Sequence, residues 1–172
     1  MKVLGIDPGS ITCGFGIIED SELDSGGQNL LHIASGSIET SRLNLFSERI
    51  KEVFDSISNI IEKYNPDEMA IESLFFSKNV KAALRLGEIR GATILAAVNA
   101  GIPVFEYTPL EIKKSVVGYG SAAKHQIQYM IGEILHLRES SCNEDAADAL
   151  ALAICHINNR KSKIENRRSK KL

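Results

Sequence analysis

Four carboxylates stand where an ordinary surface would not place them. Asp7 ends the apolar run Val3-Leu4-Gly5-Ile6, and Glu72 ends Met69-Ala70-Ile71. Asp145 and Asp148 sit three residues apart in Glu144-Asp145-Ala146-Ala147-Asp148-Ala149-Leu150, so they share one face near a helix start. Burying any of them without a partner costs free energy. Each also has a plain reading: Asp7 as the cap of the Pro8-Gly9 turn, Glu72 as a solvated strand end, and the two aspartates as favourable helix N-terminal charges. If the two strands are neighbours and the helix crosses their ends, the four converge. They would then raise one another's pKa unless a cation neutralised them. An all-oxygen donor set without Cys or His suits Mg²⁺ or Mn²⁺. Two such ions ~3.5–4 Å apart can clamp the attacking and leaving oxygens of a phosphodiester in an in-line displacement.

Basic residues gather in the middle of the chain. Residues 73–138 hold eight Lys and Arg against four acids, whereas residues 1–72 hold five against thirteen. Lys78, Lys81 and Arg85 are spaced to line one side of a helix start, and Lys113, Lys114 and Lys124 follow. Such a set can contact phosphates, or simply form a solvated face. Phe75, inside Leu74-Phe75-Phe76, reads from its neighbours alone as core.

The elements that must position these groups are legible in outline. Strands are expected at Val3–Asp7, Gly14–Ile18, Leu30–Ile38, Met69–Glu72 and Val104–Tyr107. Leu43, Phe46, Ile50, Val53, Ile57 and Ile60 predict an amphipathic helix that Asn65-Pro66 stops. Further helices are expected over about 79–99, from Pro109, near 122–135, and from Asn143, which can cap the last one. Its alanines would let it approach the sheet closely. Gly14 and Gly16 mark another close backbone approach. Ala83, Gly87 and Gly91 repeat at four-residue spacing, for packing on the sheet or for a two-fold helix contact. Three strands in succession, then alternating helices and strands, predict an α/β chain with a five-stranded mixed sheet covered by helices.

Taken in order, Gly5-Ile6-Asp7-Pro8-Gly9-Ser10, Ala70-Ile71-Glu72 with Phe75 and Lys78-Asn79, Val104-Phe105-Glu106-Tyr107, Lys113-Lys114-Ser115-Val116-Val117-Gly118 and Asp145–Leu150 resemble the bacterial RuvC crossover junction endodeoxyribonucleases. The resemblance runs over about residues 1–158. It implies an RNase H-like fold with helices on both faces of the sheet, acting as a homodimer. The implied reaction is Mg²⁺-dependent, symmetric nicking of two like-polarity strands at a four-way (Holliday) junction, in recombination and repair. The ends left are 5′-phosphate and 3′-hydroxyl. The resemblance makes Asp7, Glu72, Asp145 and Asp148 the metal-binding catalytic set, with two ions per site. Phe75, Lys78 and Asn79 then match a loop at the junction centre, and the Phe75 ring stacks on a base. Lys113, Lys114 and Lys124 match lysines near the cleaved strand, and Lys81 and Arg85 join the DNA-binding set. A RuvA–RuvB branch-migration complex is implied as a partner. Ser73 departs from the pattern, standing where a Gln commonly follows the catalytic Glu.

The whole chain of 172 residues has net charge −2, which by itself argues against a strongly basic DNA binder. The total conceals a division: Arg160–Leu172 holds seven bases and one acid. We expect a nuclease domain over 1–159 and a disordered basic arm over 160–172. No apolar stretch reaches membrane-spanning length, and no secretory signal is expected. Cys13, Cys142 and Cys155 lack metal-ligand spacing and are expected to be free thiols in a reducing cytoplasm. His32, His125, His136 and His156 show no ligand spacing. Asp7-Pro8-Gly9 with Gly14 and Gly16 also resembles the phosphate loop of actin-like ATPases, but those need a second lobe. The same carboxylates would also suit a nuclease acting on RNA or RNA–DNA hybrids, and the basic residues a junction binder without catalysis.

Overall fold

The computed structural model describes residues 1–22, 28–73, 79–137 and 143–169, with 22, 28 and 161–169 as backbone alone. Five strands form one sheet: β1 (Lys2–Asp7), β2 (Thr12–Glu22), β3 (Gln28–Glu39), β4 (Glu68–Glu72) and β5 (Val104–Tyr107). Their spatial order is β3-β2-β1-β4-β5. The first three pair antiparallel, and β4 and β5 join parallel to β1. Parallel strands need crossovers, and helices supply them. α1 (Phe46–Tyr64) leads into β4, α2 (Val80–Asn99) into β5, and α3 (Pro109–Val117), α4 (Lys124–Leu135) and α5 (Glu144–Ser169) complete the chain.

The alternation of side chains along the strands divides the core in two. Leu4, Ile6, Ile17 and Met69 pack with Val53 and Ile57 of α1 and Ile89 and Ala96 of α2. Val3, Ile18 and Ala70 pack on the opposite face with α3, α4 and α5. The expected α/β sheet, covered on both faces, is what the chain forms. The α1 pattern begins later than its periodicity predicts. Glu48 accepts from the Leu45 backbone N–H at 2.8 Å and starts the helix at Phe46. Leu43 therefore lies in the preceding loop, 96 % exposed. Asn65, in the left-handed conformation with φ 47°, ends α1 as expected.

Helix α5 rests directly on the backbone of β1 and β2. A Cβ built on Gly5 would lie 1.9 Å from the Ala149 carbonyl oxygen, and one on Gly14 would lie 2.0 Å from that of Asp145. A Cβ on Gly16 would lie 2.8 Å from both the side chain and the backbone nitrogen of Leu150. On the helix side Ala146, Ala147, Ala149, Ala151 and Ala153 are all buried. Asn143 caps the start of α5, its side-chain oxygen accepting from Ala146 N–H at 2.9 Å, and its amide donates to Ser37 Oγ at 2.6 Å. The helix runs as one element to Ser169, so its backbone continues through the boundary expected after residue 159.

Gly14→Ala should cost about 1–3 kcal/mol or more, because the neighbour is backbone and cannot swing aside. Gly132→Ala, in α4 with only an ordinary 4.0 Å contact, should change stability by less than about 1 kcal/mol and in the favourable direction. Urea midpoints of the two variants check this contrast.

Candidate active site

Strand register brings the first two carboxylates together. Ile6 pairs with Ile71, so Asp7 and Glu72, one residue further on, end adjacent parallel strands side by side. Both point to the α5 face. The seating of α5 on Gly5 and Gly14 then brings in the other two: the Asp145 backbone lies over Gly14, which is the partner of Asp7 across β1 and β2. Asp7, Glu72 and Asp148 line a cleft of about 140 Å³ together with Lys113, Pro109, Ile112, Ile127, Ala151 and Leu152. Asp145 stands outside that lining but acts on Asp7 and Asp148 electrostatically.

Charge at this cleft is out of balance. Burial, then repulsion from Asp148, Glu72 and Asp145, pushes the Asp7 carboxyl from its ordinary 3.8 up to about 7, with Lys124 opposing. Glu72 is raised by burial and by Asp148. Asp148 is raised chiefly by burial, although Lys124 pulls the other way. The Lys124 ammonium lies 2.9 Å from Asp148 and 2.9 Å from Glu144. Burial works against its charge, but those hydrogen bonds outweigh burial and raise its pKa. Lys124 offsets only part of the repulsion, and the Asp7 carboxyl stays raised. Oxygen donors alone, facing one another under mutual repulsion, fit a hard divalent cation. Among the described residues, no three acidic, His or Cys side chains are drawn tightly enough together to enclose an ion.

The structure sorts the basic residues expected from sequence. Lys113 lines the carboxylate cleft, and Lys124 bonds to one of its members. Lys114 instead lines a separate hollow with Glu111, Ser115, Asn158 and Asn159. Lys81 and Arg85 are exposed near the start of α2, and the Arg85 guanidinium stacks on Phe46 at 5.1 Å. Asn79 caps α2, its side chain accepting from Ala82 N–H at 3.1 Å. Phe75 and Lys78 lie outside the described residues. Two residues of the site were not singled out from sequence. Glu144 shares Lys124 with Asp148, and its place in the same acidic run was the available signal. Arg90 donates from Nε to the Glu72 carbonyl at 3.2 Å and pairs with Glu106 at 2.7 Å, supporting the end of β4 from the other face. A charged residue beside Ile89 on the core side of α2 was its only trace.

The Ala83, Gly87 and Gly91 spacing also finds its place. Nothing lies within 4 Å of a Cβ on Gly91, and Val80, Leu84, Leu95 and Val98 are exposed along the same outward side of α2. The sheet is met by Ile89, Thr93, Ala96 and Ala97 instead. Packing on the sheet is therefore not what Gly91 serves.

Comparison with known proteins shows the family and the fold. The family model described as crossover junction endodeoxyribonuclease RuvC matches residues 3–156. A crossover junction endodeoxyribonuclease RuvC from Geotalea uraniireducens is 49 % identical over 158 residues, covering 92 % of this chain and 89 % of its own. The Thermus thermophilus RuvC structure superposes with a TM-score of 0.85 at 30 % identity, over 95 % of this chain and 97 % of that one. The structure of T. thermophilus RuvC in complex with Holliday junction substrate gives a TM-score of 0.83 at 28 % identity, over 94 % and 96 %.

The raised Asp7 pKa fixes a pH dependence. Below about pH 4 the carboxyl is protonated in both folded and unfolded chains. As pH rises from about 4 to about 7 the unfolded chain ionises first, so stability falls across that window and levels off above it. In metal-free protein, Asp7→Asn should reduce this slope, leaving the part due to Glu72 and Asp148, and raise stability at pH 8 by roughly 1–3 kcal/mol, the lower end allowing for solvent screening. Urea midpoints of both proteins at pH 5 and pH 8 in EDTA measure the difference.

Proposed function

The chain belongs to the RuvC family of crossover junction endodeoxyribonucleases, and from that premise we propose that Asp7, Glu72, Asp145 and Asp148 form its catalytic, Mg²⁺-binding centre. The enzyme is a hydrolytic, metal-dependent nuclease that resolves four-way DNA junctions by nicking two like-polarity strands, leaving 5′-phosphate and 3′-hydroxyl ends. The observation that carries the site assignment is the convergence of carboxylates in one cleft, with burial and mutual repulsion holding Asp7 at about 7. When bound, divalent cations supply the charge that activates water and stabilises the leaving oxygen, with two as the proposed number and Mn²⁺ as a substitute.

The protein's own residues do the rest. Asp7 and Glu72 form the floor of the cleft, fixed by the pairing of β1 with β4. Asp148 closes it from above, held against Lys124 at 2.9 Å. Lys113, in the same lining, is placed to stabilise negative charge developing on a phosphate oxygen. Pro109, Ile112, Ile127 and Leu152 make the other walls apolar, which strengthens every charge interaction inside. The DNA backbone reaches this cleft past Lys81, Arg85 and Asn79 on the α2 side, and Lys114 meets it on the α3 side. Phe75 and Lys78 supply the stacking and phosphate contacts at the junction centre.

The working unit is a homodimer. Its support here is the outward side of α2, where Val80, Leu84, Leu95 and Val98 are exposed and Gly91 allows close approach of a second helix. A RuvA–RuvB branch-migration complex is the proposed partner in delivering junctions. Residues 160–172 form a basic arm that adds sequence-independent phosphate contacts to the domain over 1–159. The working compartment is the cytoplasm. Among the described residues no helix is long and apolar enough to cross a membrane.

Incubated with a synthetic four-way junction and Mg²⁺, the protein should make paired symmetric nicks and leave linear duplex intact. Asp7→Asn or Asp148→Asn should lower the rate by about 10³-fold or more while junction affinity in Ca²⁺ stays within about three-fold. Equal cleavage of an RNA–DNA hybrid, or activity surviving Asp7→Asn, would contradict the reading. Leu84→Glu combined with Leu95→Glu should give a monomer in analytical ultracentrifugation and uncouple the two nicks.

A further inference from the structure

Strand β4 and helix α5 run antiparallel to one another, and each carries two polar groups on its facing side. On β4 these are Glu68 and Glu72, four residues and about 13 Å apart on one face. On α5 they are Asp148 and His156, eight residues and about 12 Å apart. The spacings match, so the two elements meet at both ends. At one end Glu72 and Asp148 repel, each burdened by burial. At the other end the pairing is attractive: His156 Nε2 bonds to Glu68 Oε2.

The attractive end is a closed polar cluster. His156 is 2 % exposed. Its Nδ1 lies 2.7 Å from the Tyr107 hydroxyl, and Phe105 packs against the ring with centroids 4.6 Å apart. With a carboxylate on Nε2, the ring proton belongs there, and Nδ1 accepts from Tyr107. Arg160, one turn further along α5, reaches the other oxygen of Glu68. Strands β4 and β5 and helix α5 are thus tied at one point by groups that have no part in the cleft. An apolar contact tolerates sliding by part of a turn, whereas this directional chain does not.

We propose that His156, held by Glu68 and Tyr107, is a positioning residue for the active site: it sets where α5 lies along β4, and so fixes the separation of Glu72 and Asp148, two of the residues that would hold a divalent cation. The inference rests on reading the four carboxylates as a cation site. It assigns Glu68, Tyr107 and His156 no contact with DNA or metal.

The test uses metal-free full-length protein titrated with MnCl₂ in a calorimeter, alongside the Mg²⁺ concentration that half-saturates junction nicking. Glu68→Ala and His156→Asn should weaken Mn²⁺ binding about five-fold or more and raise the half-saturating Mg²⁺ equally, with junction affinity in Ca²⁺ unchanged. Glu68→Gln, which keeps an acceptor for Nε2–H, should restore binding to within about two-fold. Tyr107→Phe keeps the ring and loses only the hydroxyl, so it reports on the chain should His156→Asn fail to fold. Ile57→Val, in the core on the opposite face, should lower the melting temperature and leave Mn²⁺ affinity alone. Unchanged Mn²⁺ affinity in folded Glu68→Ala and Tyr107→Phe would overturn the positioning role. Absence in the wild type of any Mn²⁺ binding that Asp7→Asn abolishes would instead overturn the carboxylate site, and the positioning role with it.

Discussion

Everything at the site depends on how closely α5 can lie on β1 and β2. Gly5, Gly14 and Gly16 leave no side chain on the sheet where the helix crosses, and buried alanines leave almost none on the helix. Backbone therefore meets backbone. Had either surface carried larger side chains, ordinary helix-on-sheet spacing would have lifted Asp145 and Asp148 away from Asp7 and Glu72. The small residues are the means by which acids far apart in sequence share one cleft.

That closeness has an energetic cost that the rest of α5 must outweigh. An Asp7 pKa of about 7 corresponds to a few kcal/mol of unfavourable charge in the metal-free protein. Leu150, Leu152, Ile154 and Ile157 are essentially fully buried along the same helix, and each contributes roughly 1.5–3 kcal/mol by leaving water. Their burial works in the opposite direction to the charge at the site, which is how the fold can keep a locally destabilised cleft. Lys124 relieves part of the repulsion, bridging Asp148 and Glu144. A divalent cation bound there would relieve more, and the net charge of −2 hides an uneven distribution, with eight bases against four acids over residues 73–138.

Much of this was legible in the residues themselves. Strand ends marked by Asp7 and Glu72, the i, i+3 aspartates, the alanines of α5 and the Asn143 cap were each a local signal with a physical meaning. Periodicity placed α1 well except at its start, because a capping carboxylate, not hydrophobic spacing, decides where a helix begins; Leu43 fell outside for that reason. Long-range side-chain pairings were invisible. Nothing in the sequence joins Arg90 to the carbonyl of Glu72, or His156 to Glu68 eighty-eight residues away. His156 carried no sign of its role until the fold enclosed it. Lys113 and Lys114 are neighbours in sequence, yet only Lys113 lines the carboxylate cleft, because successive helical residues point about 100° apart.

Membership of the RuvC family and the geometry of the cleft converge on one claim, that burial and repulsion prepare these carboxylates to receive divalent cations at a DNA phosphodiester. The most direct measurement is anomalous diffraction from crystals of the protein with a four-way junction grown in millimolar Mn²⁺. The account predicts anomalous density in the cleft, within ligand distance of Asp7 and of Glu72 or Asp148, and beside a junction phosphate. Junction bound in place with no manganese density at these carboxylates would contradict it.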